Sequence, residues 1–236
     1  MKKFVLVTIS TLVLSSLVLA QPAKAATSSK TTDGKIEYVD GGLIIDPDPD
    51  PEIPPVVDPD PDPEDNFEAR LPEMLDFGKT KVHSGDKTFL ALINNGDAIE
   101  LKDREANKDK LKKGAVAVLD NTGEQKGWEV KVKQNTQFAA GADVLEGAVL
   151  SFTAGRTATQ ATGTLPSTIT PEGTNVAFPL GTDGTGTELS LMKAEEGEGV
   201  GLTSFAIRDF QLTVPGSVMK VNTYTTTLDW TVSNTP

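Results

Sequence analysis

The stretch "YTTTLDWTV" (residues 224–232) decides the fold. Tyr224, Thr226, Leu228, Trp230 and Val232 fall on one side of an extended chain, and Thr225, Thr227, Asp229 and Thr231 on the other. Strict alternation of this kind is the mark of a strand with one buried and one solvated face. The same period recurs upstream. In "GWEVKVKQ" (127–134), Trp128, Val130 and Val132 oppose Glu129, Lys131 and Lys133. In "DFQLTVPG" (209–216), Phe210, Leu212 and Val214 point one way, and Pro215-Gly216 ends the run. "TFLALIN" (88–94) and "GAVLSFTAG" (147–155) are further strand candidates.

Turn signals at Asn95-Gly96, Thr122-Gly123 and Pro215-Gly216 punctuate these runs. "AVAVLD" (115–120) and "GWEVKVKQ" are joined by the turn-rich "NTGEQKG" (121–127), which predicts a hairpin. The Gly-rich, acidic segment 180–201 reads as loops around one strand at 188–192. Only "EANKDKLKKG" (105–114) has a helical look, and it is short and mostly polar. The expected fold is all-β: a β-sandwich, Ig-like or a related antiparallel two-sheet architecture, with few or short helices.

The start of the chain sets the compartment. Lys2 and Lys3 precede an uncharged stretch from Phe4 to Ala20, and Ala23 and Ala25 stand at the small-residue positions of a cleavage site. This is the pattern of a secretory signal peptide, with cleavage expected after Ala25. Seventeen residues would extend only about 26 Å as a helix, short of the roughly 20 residues usual for a span, so no membrane span is expected after cleavage. The chain has no cysteine, which excludes a lipid-anchored N-terminal cysteine and any disulfide framework. Stability therefore has to come from a hydrophobic core.

Charge is concentrated in one place. Residues 40–65, "DGGLIIDPDPDPEIPPVVDPDPDPED", hold ten carboxylates and no Lys or Arg. Proline recurs there at nearly every second position, which excludes helix and central strand. An acidic polyproline II spacer is expected at 46–66, reaching roughly 60 Å at about 3.1 Å per residue. Its Asp-x-Asp spacing does not make a calcium loop, because side chains at i and i+2 do not converge in polyproline II. Removing Lys2, Lys3 and Lys24 takes the net charge from −12 to −15, which argues against nucleic acid as a partner. Residues 66–236 alone carry 22 acids and 17 bases, a net of −5. Upstream of the spacer, "GKIEYVDGGLIID" (34–46) contains a strand-like segment. It either joins the main domain across the spacer or forms a loose arm. The expected organisation is a signal peptide (1–25), an N-terminal arm with that segment (26–45), the acidic spacer (46–66) and a β domain (67–236).

Both tryptophans occupy one local pattern, W-E-V at Trp128–Val130 and W-T-V at Trp230–Val232. Here the chain resembles the WxL-domain family of Gram-positive cell-surface proteins, which carry two Trp-x-Leu motifs. "LDFGK" (75–79), "VLDNTGEQKGWEVKV" (118–132), "FQLTVPG" (210–216) and "YTTTLDWTVSNTP" (224–236) are similar to that family's blocks, over roughly residues 71–236. The third motif positions depart from it, with Val130 and Val232 in place of Leu. The resemblance implies an exported protein attached noncovalently to the cell wall, through peptidoglycan or another wall polymer. It also implies complexes with other WxL proteins and with membrane-tethered WxL-interacting proteins, and no catalysis and no cofactor. Trp128, Val130, Trp230 and Val232 are the candidate residues, either as contacts for wall or partner or as core. The residues themselves favour core, since each Trp shares its face with valines.

Catalytic chemistry has little to stand on. The single histidine, His83 in "KVHSGDK" (81–87), lacks a G-x-S-x-G context for a triad and further His or Cys ligands for zinc; it reads as an exposed strand or turn residue. "LPSTI" (165–169) lacks the glycine of a sortase signal and reads as a turn.

Overall fold

The computed structural model describes residues 27–38, 67–72, 74–159 and 164–234. The expected signal peptide (1–25) and acidic spacer (46–66) lie outside the described residues. In chain order the strands are β1 (Thr27–Tyr38), β2 (Phe67–Arg70), β3 (Met74–Thr80), β4 (Lys87–Leu90), β5 (Ile99–Glu100), β6 (Gly114–Asp120) and β7 (Trp128–Gln134). They continue with β8 (Ala139–Ala140), β9 (Asp143–Val144), β10 (Val149–Thr159), β11 (Thr168–Ile169), β12 (Asn175–Ala177), β13 (Leu189–Ala194), β14 (Gly201–Val214) and β15 (Thr223–Ser233). A 3-10 turn at Glu105–Lys110 takes up the first part of the expected helical segment 105–114, and another precedes it at Leu101–Asp103.

The strands form two sheets, and the all-β sandwich expected from the alternating runs is what the chain adopts. The first sheet has the order β11-β13-β7-β15-β1-β3, with β8 beside β15 and β9 beside β8. The second has the order β12-β10-β14-β4-β5, with β6 on β14 and β2 on β6. The 14-residue β14 organises the second sheet. One edge pairs with β10; the other is shared, Gly201–Ile207 by β6 and Gln211–Val214 by β4.

One continuous core fills the space between the sheets. It draws Trp128, Val130, Leu228 and Trp230 from the first sheet and Val116, Phe152, Phe205 and Phe210 from the second. Edge-to-face ring pairs within it include Phe152–Phe205, with centroids 6.3 Å apart. The alternation read in residues 224–232 is reproduced in burial: Tyr224, Thr226, Leu228, Trp230 and Val232 are buried, and the residues between them are not.

The expected hairpin between residues 115–120 and 127–134 is not formed. β6 pairs with β14 and β2, whereas β7 pairs with β15 and β13, so the 121–127 link carries the chain from one sheet to the other. Asp120 starts this crossing: its Oδ1 accepts from Thr122 Oγ1 (2.7 Å) and from the Thr122 backbone N–H (3.1 Å). Both strands bury one apolar face in the same core, and period-two patterning says nothing about whether they reach it from one sheet or from two.

β1 takes the first of the two alternatives left open for the N-terminal segment, joining the main domain. It lies inside the first sheet, antiparallel to β15 from Thr27↔Ser233 to Glu37↔Thr223, and parallel to β3 from Asp33↔Met74 to Tyr38↔Thr80. Thr32, Gly34 and Ile36 face the core, and Ile36 is fully buried. A Cβ on Gly34 would sit 3.2 Å from both Phe138 and Thr226, so glycine lets the neighbouring side chains close over the strand.

Candidate functional site

The two Trp-x-Val motifs lie side by side. β7 and β15 are adjacent and antiparallel, with Val130 opposite Val232 and Val132 opposite Trp230. Trp128, Val130, Trp230 and Val232 are all fully buried. Strand alternation brings them to one face, and the register then joins the two motifs into a single apolar layer.

Each indole also has its polar edge satisfied. Trp128 Nε1 donates to the Gly199 carbonyl (3.0 Å), and Trp230 Nε1 donates to Thr32 Oγ1 (2.9 Å). Thr32 in turn donates its hydroxyl to the Pro72 carbonyl. The second motif is thus tied to β1 at the other end of the sequence. The first is tied to the loop after β13. That loop is itself fastened: Glu198 Oε2 accepts from the backbone N–H of Ser167 (2.8 Å) and of Glu195 (3.0 Å), and Gly199 N–H donates to the Thr164 carbonyl (2.9 Å). These backbone donors hold the Glu198 carboxyl below the ordinary carboxylate value. Gly199 has φ +64, and a Cβ there would lie 2.6 Å from Trp128 Nε1. With no exposed ring face and no free N–H, neither tryptophan can stack on a ligand while the core is closed.

What the motif strands present to solvent is their other face. Glu129, Lys131 and Lys133 of β7 stand beside Thr227, Asp229, Thr231 and Ser233 of β15, with Thr31 and Asp33 of β1 beyond. A shallow depression of about 110 Å³ opens here between Lys131, Lys133, Glu188, Asp229 and Thr231. Lys131 Nζ lies 3.3 Å from Glu129 and 3.6 Å from Glu188, and the hydrogen bond to Glu129 raises its pKa above the ordinary lysine value. Thr31 Oγ1 donates to Asp229 Oδ1 (3.0 Å). Lys133 makes no ion pair among the described residues, so its charge is available to a ligand. A second depression, of about 220 Å³, lies at the β3 side of the sheet and is lined by Met74, Asp76, Leu92, Ile93, Asn94, Asn95 and Lys112.

A family model described as "WxL domain surface cell wall-binding" matches residues 25–236. The chain belongs to this WxL family. It is a family of wall-binding surface domains rather than of enzymes. No curated protein and no solved structure matches the chain.

In this WxL domain the family match takes in β1 as well as the two motifs. The valines at the third motif positions face each other across the β7–β15 ladder, where a branched side chain packs well on the pleated surface. Local sequence did not point to Thr32 or Gly199, the two acceptors that complete the tryptophans. One lies in a polar run and the other in a glycine-rich loop, and neither carries an apolar periodicity. The outward lysines, by contrast, were legible as the alternate positions of "WEVKVKQ".

His83 stands apart from the motifs. Its ring lies against Phe89 (centroids 5.7 Å apart), Nδ1 is 2.6 Å from the Gly85 carbonyl, and burial lowers its pKa. It is half-buried in a turn rather than exposed. Among the described residues no group of three or more His, Cys, Asp or Glu is placed to hold a metal, and no helix is long and apolar enough to cross a membrane.

Proposed function

We propose that the protein is exported and held noncovalently on the Gram-positive cell wall, on peptidoglycan or another wall polymer, by the solvent face of β13, β7, β15 and β1. The observation that carries this reading is the burial of both tryptophans with their N–H groups bonded, in a chain of a wall-binding family. The indoles build the sheet, and binding falls to the hydroxyls and charges on its other side. Threonine hydroxyls beside Lys133, Asp229 and Glu188 are chemically matched to a polymer of sugar hydroxyls, amines and carboxylates. Residues 1–25 serve as the signal peptide, and 46–66 as the acidic spacer. The folded unit then comprises 27–38 together with 67–236.

Sedimentation with protein-stripped walls tests the attachment. The mature chain (26–236) is expected to pellet well above an unrelated acidic β-protein, and Lys133→Glu is expected to reduce that retention. Lys133 is half-buried opposite Asp229, so the reversal also costs about 0.2–1 kcal/mol of stability, and the urea midpoint separates lost binding from lost folding. Equal sedimentation of the mature chain and the control protein excludes direct wall binding.

A second reading, docking onto a membrane-tethered WxL-interacting protein with only indirect wall association, rests on the depression beside β3. Met74 (51% exposed) and Ile93 (39% exposed) there present apolar surface at a sheet edge, the kind of site that takes a protein segment. Retention on intact cells but not on stripped walls favours it.

A further inference from the structure

We propose that the place of β1 in the first sheet is an exchange site, and that β1 of one copy of this chain docks between β15 and β3 of a second copy, linking the two. The inference goes beyond wall attachment and does not depend on it.

The slot is specific on both edges and on its floor. β1 contributes a continuous ladder to β15 over eleven register pairs and five more to β3, so both neighbours present unpaired backbone when it leaves. Its departure also strips the buried Trp230 indole N–H of its Thr32 acceptor. The inward residues define the occupant. Position 32 has to accept from Trp230 Nε1 and donate to the Pro72 carbonyl, which a threonine hydroxyl does at once. Position 34 leaves only 3.2 Å between an added Cβ and the Phe138 and Thr226 side chains. Position 36 is a fully enclosed isoleucine. A strand reading Thr-x-Gly-x-Ile meets all three demands, and a second copy of β1 is such a strand.

The connection makes exchange competitive with self-insertion. Tyr38 ends in the first sheet and Phe67 begins in the second. Between them are 28 residues, numbers 39–66, with ten carboxylates and no Lys or Arg. A tethered element gains most from its tether when the linker length matches the gap, and that advantage falls as the linker lengthens. A neighbouring copy on a crowded surface then competes for the same slot. The spacer would set the distance between the linked domains.

The absence of cysteine permits a direct test. Thr31 and Asp229 are register partners on the solvent face, with their side-chain oxygens 3.0 Å apart. Cross-strand neighbours of this kind have Cα atoms about 4.5–5.5 Å apart, within disulfide range. Mature chains carrying only Thr31→Cys and only Asp229→Cys are unfolded together, refolded over a range of protein concentrations and oxidised. The expected result is a disulfide-linked heterodimer whose yield rises with concentration. It should be lost when Thr225→Cys, whose register partner is Lys35, replaces Asp229→Cys. The in-register pair Asp33→Cys with Thr227→Cys serves as a second arm should either first variant fold poorly. Heterodimer in either in-register arm, absent off register, supports exchange. Monomer throughout, or equal dimer in and out of register, overturns it.

Discussion

Replacing Thr32 by valine tests whether the N-terminal strand holds the second tryptophan through its hydroxyl or only through its bulk. Valine keeps the shape of threonine and removes the oxygen. Two buried groups then lose their partner, the Trp230 indole N–H and the Pro72 carbonyl. Leaving a buried polar group unsatisfied costs about 1–3 kcal/mol, and the added methyl returns at most about 0.8 kcal/mol of apolar burial. The net expectation is a loss of about 2–4 kcal/mol. For a domain of this size that is a fall in Tm of roughly 5–15 °C. Thr32→Ser is the counterpart: it keeps the hydroxyl and deletes one methyl, at about 1 kcal/mol. Urea unfolding followed by intrinsic fluorescence reads both, since both tryptophans are buried in the native state. Valine should give the lower midpoint at an unchanged slope. If apolar packing alone held β1, the order would reverse, with valine at the wild-type midpoint and serine below it. That result refutes the hydrogen-bond account of Trp230.

Three further outcomes follow from the same geometry. Gly199→Ala drives a methyl into Trp128 at a left-handed backbone position and should cost about 1–3 kcal/mol beyond the 1–2 kcal/mol of backbone strain expected at Gly123→Ala, which has open space around it; equal urea midpoints would remove the steric argument. Arg104→Met strips the guanidinium from Asp209, whose side chain is 7% exposed, and should cost about 1–3 kcal/mol, most of it recovered in the double variant with Asp209→Asn as a double-mutant cycle would report. Glu198 has a folded-state pKa below its ordinary 4.5, so its contribution is present above that value and is lost as pH falls through the lower folded one; Glu198→Gln should therefore flatten the acid side of the stability profile, and an unchanged profile would count against this carboxylate as the loop's fastening.

Much of the molecule was legible along the chain because strand alternation is a local property. The inward faces of residues 128–134, 210–214 and 224–232 were readable residue by residue, and so was the outward set of Lys131, Lys133, Asp229 and Thr231. The pairing of those strands was not. Residues 115–120 and 128–134 look like two arms of one hairpin, yet they lie in different sheets, because alternation fixes which face is buried and not which neighbour supplies the hydrogen bonds. Asp209 and Gln211 point the same way: their positions read as the solvated face of β14, but Arg104 covers the first, and Asn175 and Thr153 bond the second, so β14 is buried on both faces there.

The sequence by itself determined an all-β chain, two equivalent Trp-x-Val strands, an acidic proline-rich segment and the lack of any cysteine staple, since each follows from composition or short-range periodicity. Only the tertiary structure decided what the tryptophans do. Their N–H partners, Thr32 and Gly199, are 198 and 71 residues away along the chain, and no local pattern marks them. A buried indole needs an acceptor wherever folding can bring one. That need turns the N-terminal strand into a structural part of the C-terminal motif.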